Sequence, residues 1–106
     1  MEAMRTSNGF KKEVESRLKK YLSRDNTGIR RALLKQFLKV KSATIKEIFD
    51  DLKDHFPISY QSVASMVGII ASRIGILHVK RNKDNELCVY ELKEQYLDLV
   101  VKMVGS

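Results

Sequence analysis

The sequence predicts an α+β fold in which a three-helix core runs into a β-hairpin, with an additional helix at each end of the chain. Three observations predict it. Apolar residues recur at three- and four-residue spacing in five separate stretches, the mark of amphipathic helices. Thr44 with Glu47, and Ser59 ahead of Val63, are helix-start signals. Two short runs with strand character, ILHVKR (76–81) and ELCVYEL (86–92), flank Asn82-Lys83-Asp84-Asn85, whose Asn and Asp tolerate the positive φ of a hairpin turn.

Residues 1–9 show no periodicity and are expected to form a disordered tail, leaving 10–106 as a single domain. The first helix should run from Phe10 to about Arg24. Val14, Leu18, Tyr21 and Leu22 continue its apolar face, and Lys11, Lys12, Arg17, Lys19 and Lys20 surround it. The turn formers Asp25-Asn26-Thr27-Gly28 stop it. The second helix, Ile29 to Val40, carries Ile29, Leu33, Phe37 and Val40 on a stripe that Leu34 and Leu38 widen. The third begins at Thr44, where the Thr44 hydroxyl and the Glu47 carboxylate can each accept an orphan backbone N–H. Ile45, Ile48, Phe49, Leu52 and Phe56 keep one face as far as Pro57, which disfavours helical geometry in the residue before it.

Ser59 caps a fourth helix with Val63, Val67, Ile70 and Ile74 on one stripe. Gly75 stops it, since a left-handed backbone costs Gly little. In the hairpin, alternation puts Leu77 and Val79 on one face with Cys88, Tyr90 and Leu92. His78 and Lys80 face the other way, with Leu87, Val89 and Glu91. The last helix should span 93–104, beyond the core helices and hairpin at 29–92.

The 106-residue chain carries a net charge of +7, and the excess is local. Residues 11–41 hold eleven Lys or Arg against Glu13, Glu15 and Asp25, whereas the segment from Ser42 onward is slightly acidic. Such asymmetry suggests a polyanionic partner. The single Cys88 cannot form an internal disulfide, which fits a reducing cytoplasm. No stretch resembles a signal peptide or approaches the roughly 18 apolar residues of a membrane span, so no membrane partner is expected.

Catalysis and metal binding find no support in the residues. His55, His78 and Cys88 are the only nitrogen or sulfur ligand candidates, and alternation puts His78 and Cys88 on opposite hairpin faces. No glycine-rich phosphate loop, nucleophile elbow or carboxylate pair is present, and no cofactor is implied. The C-terminal helix is apolar nearly all round from Tyr96 to Val104, which calls for burial on two sides. Its second side is either the first helix or a second copy of the chain. The second copy is preferred, giving a homodimer through Tyr96, Leu97, Val100, Val101 and Val104. Ala64, Gly68 and Ser72 lie four apart on the fourth helix, a spacing read as close packing against a neighbouring helix in the same chain.

The order of three helices and a hairpin resembles a winged helix-turn-helix. Val63, Val67 and Ile70, then Gly75 followed by Ile76-Leu77, match the spacing seen in many such regulators, and Tyr90-Glu91-Leu92 resembles the Tyr-x-Leu ending of the wing. The Phe56-Pro57-Ile58-Ser59 run resembles the turn of ferric-uptake-type regulators, whose His- and Cys-rich metal motifs are absent here. The whole chain resembles an uncharacterised winged-helix family of methanogenic archaea.

The resemblance implies a transcriptional regulator of archaeal type that binds duplex DNA, with the fourth helix in a major groove about 12 Å wide. The residues it would present are Tyr60, Gln61, Ser62, Ser65, Met66, Ile69 and Arg73. Lys80, Arg81 and Lys83 on the wing, with Arg30 and Arg31, would meet phosphates. Two features point instead to a protein partner. The recognition helix has no Lys or Arg before Arg73, and the helix before it is net acidic through Glu47, Asp50, Asp51 and Asp54. On that alternative the chain is an adaptor docking through Tyr60, Met66 and Ile69.

Overall fold

The structure, a computed structural model, describes residues 2–81 and 88–105, with side chains from Lys11 onward. The described residues form five α-helices and a small three-stranded antiparallel sheet, a mixed α+β arrangement compatible with a winged-helix-like one. The order is α1 (Glu2–Ser23), α2 (Ile29–Val40), β1 (Ser42–Ala43), α3 (Ile45–Leu52), α4 (Tyr60–Ile69), β2 (Leu77–Arg81), β3 (Cys88–Leu92) and α5 (Leu97–Val104).

Helix α1 begins at Glu2 rather than near Phe10, so residues 2–9 of the expected tail lie in the helix. Glu2, Ala3, Met4 and Arg5 are good helix formers, and a single Gly9 inside a helix costs only about 1 kcal/mol relative to Ala. Its inward face is the expected one: Val14, Leu18, Tyr21 and Leu22 are buried. The turn after it does more than stop it. One Asp25 carboxylate oxygen accepts the Gly28 and Arg30 amides at 3.1 and 3.2 Å, and the other accepts the Arg31 amide at 3.1 Å. Asp25 thus satisfies two orphan donors of α2, Arg30 and Arg31, the Thr27 hydroxyl accepts the Ile29 amide, and Gly28 ahead of the helix adopts a left-handed φ of 87°.

Leu33, Leu34 and Phe37 of α2 are fully buried, but Val40, expected on their stripe, is exposed. The chain leaves the helix there. Lys41 has a positive φ of 66°, and its carbonyl accepts the Leu92 amide at 2.9 Å, tying the end of α2 to β3. The two-residue β1 that follows was not anticipated; Ser42 pairs with Glu91 and Ala43 with Tyr90. A two-residue strand has no readable alternation, and its partner alone specifies it.

The capping box of α3 is formed, with the Glu47 amide 3.2 Å from the Thr44 hydroxyl and the Thr44 amide 2.8 Å from the Glu47 carboxylate. The helix ends at Leu52, four residues before Phe56, and residues 53–55 turn towards Pro57. Ser59 caps α4 by accepting the Ser62 amide at 3.1 Å. Where one continuous α-helix to Ile74 was expected, α4 passes at Ile70 into a π-helical turn, Ile70–Ile74. Gly75, at φ 82°, ends it and donates its amide to the Ile70 carbonyl. Within the Ala64–Gly68–Ser72 line, Gly68 meets no close neighbour, since a Cβ there would find nothing within 4 Å.

The strands are ordered β1-β3-β2, and the hairpin register is the expected one: Leu77 faces Leu92, Val79 faces Tyr90, and His78 and Lys80 lie opposite Glu91 and Val89. Burial fades along it. Leu77 and Leu92 are in the core, Tyr90 and Cys88 are half-buried, and Val79 is 48% exposed, so the hairpin projects from the body.

The last helix starts later than Lys93, after a single 3-10 turn at Glu94–Tyr96. It packs on α2 and α1 of its own chain. Tyr96, Val100 and Val104, expected at a dimer interface, are buried in this chain's core together with Leu99. Leu97 is half-buried, and Val101 is 40% exposed. The physical reason is that α1 and α2 embrace α5 from two directions, a three-way contact that helical periodicity alone does not register.

Candidate nucleic-acid interface

Helix α4 turns Val63 and Val67 inward, and the same periodicity turns Gln61, Ser62 and Ser65 outward. All three are exposed, as is Tyr60 at the first turn and Arg73 on the π-helical turn. Met66 and Ile69 are only half-exposed. On the hairpin, Lys80 and Arg81 are exposed, and Lys80 forms a 3.0 Å ion pair with Glu91 across the strands. Lys83 lies outside the described residues.

The two arginines at the start of α2 part company. Arg31 is exposed, whereas Arg30 donates to the Tyr21 carbonyl at 2.7 Å and lays its guanidinium 4.2 Å from the centroid of the Tyr21 ring. Arg30 therefore serves as a clamp between α1 and α2, and its replacement would disturb packing before it disturbed any ligand. Arg24, which the sequence did not single out, stands beside the same turn. Near Arg73, the Arg17 guanidinium donates to the Arg73 carbonyl at 3.2 Å, bringing a second cation to that end of the helix.

Helix α3 adds no net positive field. Asp50 holds Lys46 at 3.1 Å and Lys53 at 3.3 Å, and hydrogen bonds first from Lys46 and then from Lys53 keep its carboxyl below the usual carboxylate range. An aromatic cluster adjoins the first turn of α4. Phe49 and Tyr60 meet edge to face at 5.7 Å, and Tyr90 is close enough to Tyr60 to feel its charge. Burial and then the neighbouring Cys88 and Tyr60 raise the Tyr90 phenol. The exposed Val79 continues this patch along the hairpin.

A groove of about 680 Å³ separates the exposed face of α4 from the α1–α2 turn. Tyr21 lines it, and the buried Tyr21 hydroxyl has no hydrogen-bond partner among the described residues. Burial pushes this phenol up to about 12, partly opposed by Arg30. A buried hydroxyl without a partner costs on the order of 1–3 kcal/mol. Tyr21→Phe is therefore expected to raise stability by up to about that amount at neutral pH. The sign with pH follows from the raised value. The unfolded phenol loses its proton from about 10 while the folded one retains it, so stability should fall as pH rises from about 10 towards 12, by at most on the order of 1 kcal/mol per pH unit. Urea midpoints of wild type and Tyr21→Phe at pH 9 and 11.5 check this; parallel curves would refute it.

Among the described residues, no three His, Cys, Asp or Glu side chains come together as a metal site, and no helix is long and apolar enough to cross a membrane. Residues 18–100 match the family described as "Protein of unknown function (DUF2551)". The chain is also 47% identical over 93 residues to an uncharacterised protein of Archaeoglobus fulgidus, an alignment covering 87% of this chain and 93% of that one. No solved structure matches.

Proposed function

The chain belongs to the DUF2551 family, and from that footing we propose that it is a winged-helix protein that binds duplex DNA as a transcriptional regulator. The observation that carries this reading is the outward face of α4, where Gln61, Ser62 and Ser65 stand exposed on a helix whose opposite side is locked into the core. A helix held in this way can enter a major groove without unfolding its own packing. Gln61 can pair with an adenine edge, and the two serines with bases or phosphates. Lys80 and Arg81 on the projecting hairpin, with Arg31, would supply sequence-independent attraction.

Fluorescence anisotropy with a random-sequence duplex across a salt series tests the proposal. Micromolar binding at 50 mM salt that weakens linearly on a log–log plot is the expected result. No detectable binding at low salt would overturn it. A second reading is favoured by one specific feature, the patch of Phe49, Tyr60, Tyr90 and Val79 that runs from α4 onto the wing. Contiguous exposed aromatic and aliphatic surface marks protein contacts, and an adaptor would use it without DNA.

A further inference from the structure

We propose that the outward face of α2 is a seat for a duplex phosphate backbone, additional to the contact that α4 offers. Helix α2 turns Leu33, Leu34 and Phe37 into the core, which leaves Arg31, Lys35 and Lys39 on the opposite side, all exposed. They lie four residues apart, so the three cations follow one line, about 6 Å from one to the next along the axis. The helix contains no Asp or Glu. Elsewhere cations lean on acids: Arg17 on Glu13, Lys46 and Lys53 on Asp50, Lys80 on Glu91 and Lys102 on Glu15. Among the described residues, no ion pair takes a cation of α2. Asp25, the acid at the start of the helix, is engaged with backbone amides.

This line works against its own helix. Like charges four residues apart repel, and Arg31 lies in the first turn, where the helix dipole disfavours a cation. A partner that brings the missing negative charge accounts for it. The line is about 12 Å long, too extended for one small anion and suited to a polymer. Duplex DNA carries a charge every 1.7 Å or so of its axis, denser than even a fully acidic extended peptide with one charge per roughly 3.3 Å. The stripe starts next to Ile29 and Arg30, which share a groove with Ser62 and Ser65, and runs away from it along α2. It would therefore hold backbone flanking the stretch that α4 meets, and it stands whether or not α4 reads a sequence.

Lys35→Glu separates binding from folding, because it turns two repulsions, with Arg31 and Lys39, into two attractions. Its urea midpoint should rise. Its duplex affinity should fall at least about tenfold at 0.1 M salt on every sequence alike, and the log–log salt dependence should flatten by about 0.9 or more. Lys102→Glu on α5 changes the net charge equally and should alter affinity by less than about threefold. Acetylation of the wild-type chain, followed by mass spectrometry, locates the contact: a 20-base-pair duplex should protect Lys35 and Lys39 and leave Lys102 reactive. Equal losses in Lys35→Glu and Lys102→Glu, a lowered midpoint in Lys35→Glu, or unprotected Lys35 and Lys39 would each overturn the proposal. Poly-glutamate that protects the two lysines as well as duplex does, at equal charge concentration, would assign the stripe to an acidic protein and overturn it too. A chain that binds duplex with sequence preference but leaves Lys35 and Lys39 reactive loses only this proposal. Protection of the stripe with no sequence preference at all refutes only the reading of α4.

Discussion

Val100→Glu is expected to unfold the domain, whereas Val101→Glu, one residue further on, is expected to leave it folded. Val100 has no exposed surface and sits among the core residues that α1, α2 and α5 share, while Val101 is 40% exposed. A carboxylate at position 100 would have to be buried without a partner or be protonated, and either course costs several kcal/mol. Against a total stability of about 5–15 kcal/mol for a domain, that is enough to lose the fold or most of its margin. At position 101 the carboxylate stays in water, and the change should lie within about 1 kcal/mol. Circular dichroism with urea titration measures both. The same pair examines self-association when sedimentation is added. A dimer through α5 can use only the outer edge that Val101 and the half-buried Leu97 present, so Val101→Glu should convert it to a folded monomer. A wild type that already sediments as a monomer removes the dimer proposal. Val100→Glu retaining a cooperative transition near the wild-type midpoint would refute the packing of α5 described above.

Reversing Arg31 and Arg81 together to Glu should weaken duplex binding on every sequence by roughly a hundredfold at 0.1 M salt, since each phosphate contact contributes about one decade through counterion release. The log–log salt dependence should flatten by about 1.8 for the two contacts. These two are the informative arginines because both are exposed, while Arg30 is held against Tyr21 and its loss would be read first as a packing defect. An unchanged salt slope would mean that Arg31 and Arg81 simply face solvent. Gln61→Ala provides the contrasting case. A base-edge contact discriminates by about 1–3 kcal/mol, so sequence preference should change while the slope stays. Equal losses on all duplexes would refute that role for Gln61.

Much of this fold is legible in short-range pattern. The capping box at Thr44 and Glu47, the Ser59 cap and the Gly75 stop depend on residues within a few positions of one another, and the faces of the hairpin follow from simple alternation along each strand. Helical and strand periods likewise identify Leu33, Phe37, Val63 and Val67 as inward, and hence Gln61, Ser62 and Ser65 as outward. The exposed part of the candidate interface was readable for that reason: a face not required for packing is visible by subtraction.

Other features depend on contacts between segments far apart in sequence, where no local period reports them. Strand β1 exists because Ser42 and Ala43 meet Glu91 and Tyr90. Arg30 looks like any surface cation until Tyr21 arrives beneath it, and the groove exists only once the α1–α2 turn is set opposite α4. Tyr96, Val100 and Val104 show the limit most clearly. Their all-round apolar pattern required burial on two sides, and that much the residues determined. Whether the second side would be another molecule or this chain's own helices was decided by tertiary packing. The hydrophobic effect rewards removal of apolar area from water without regard to which chain provides the cover.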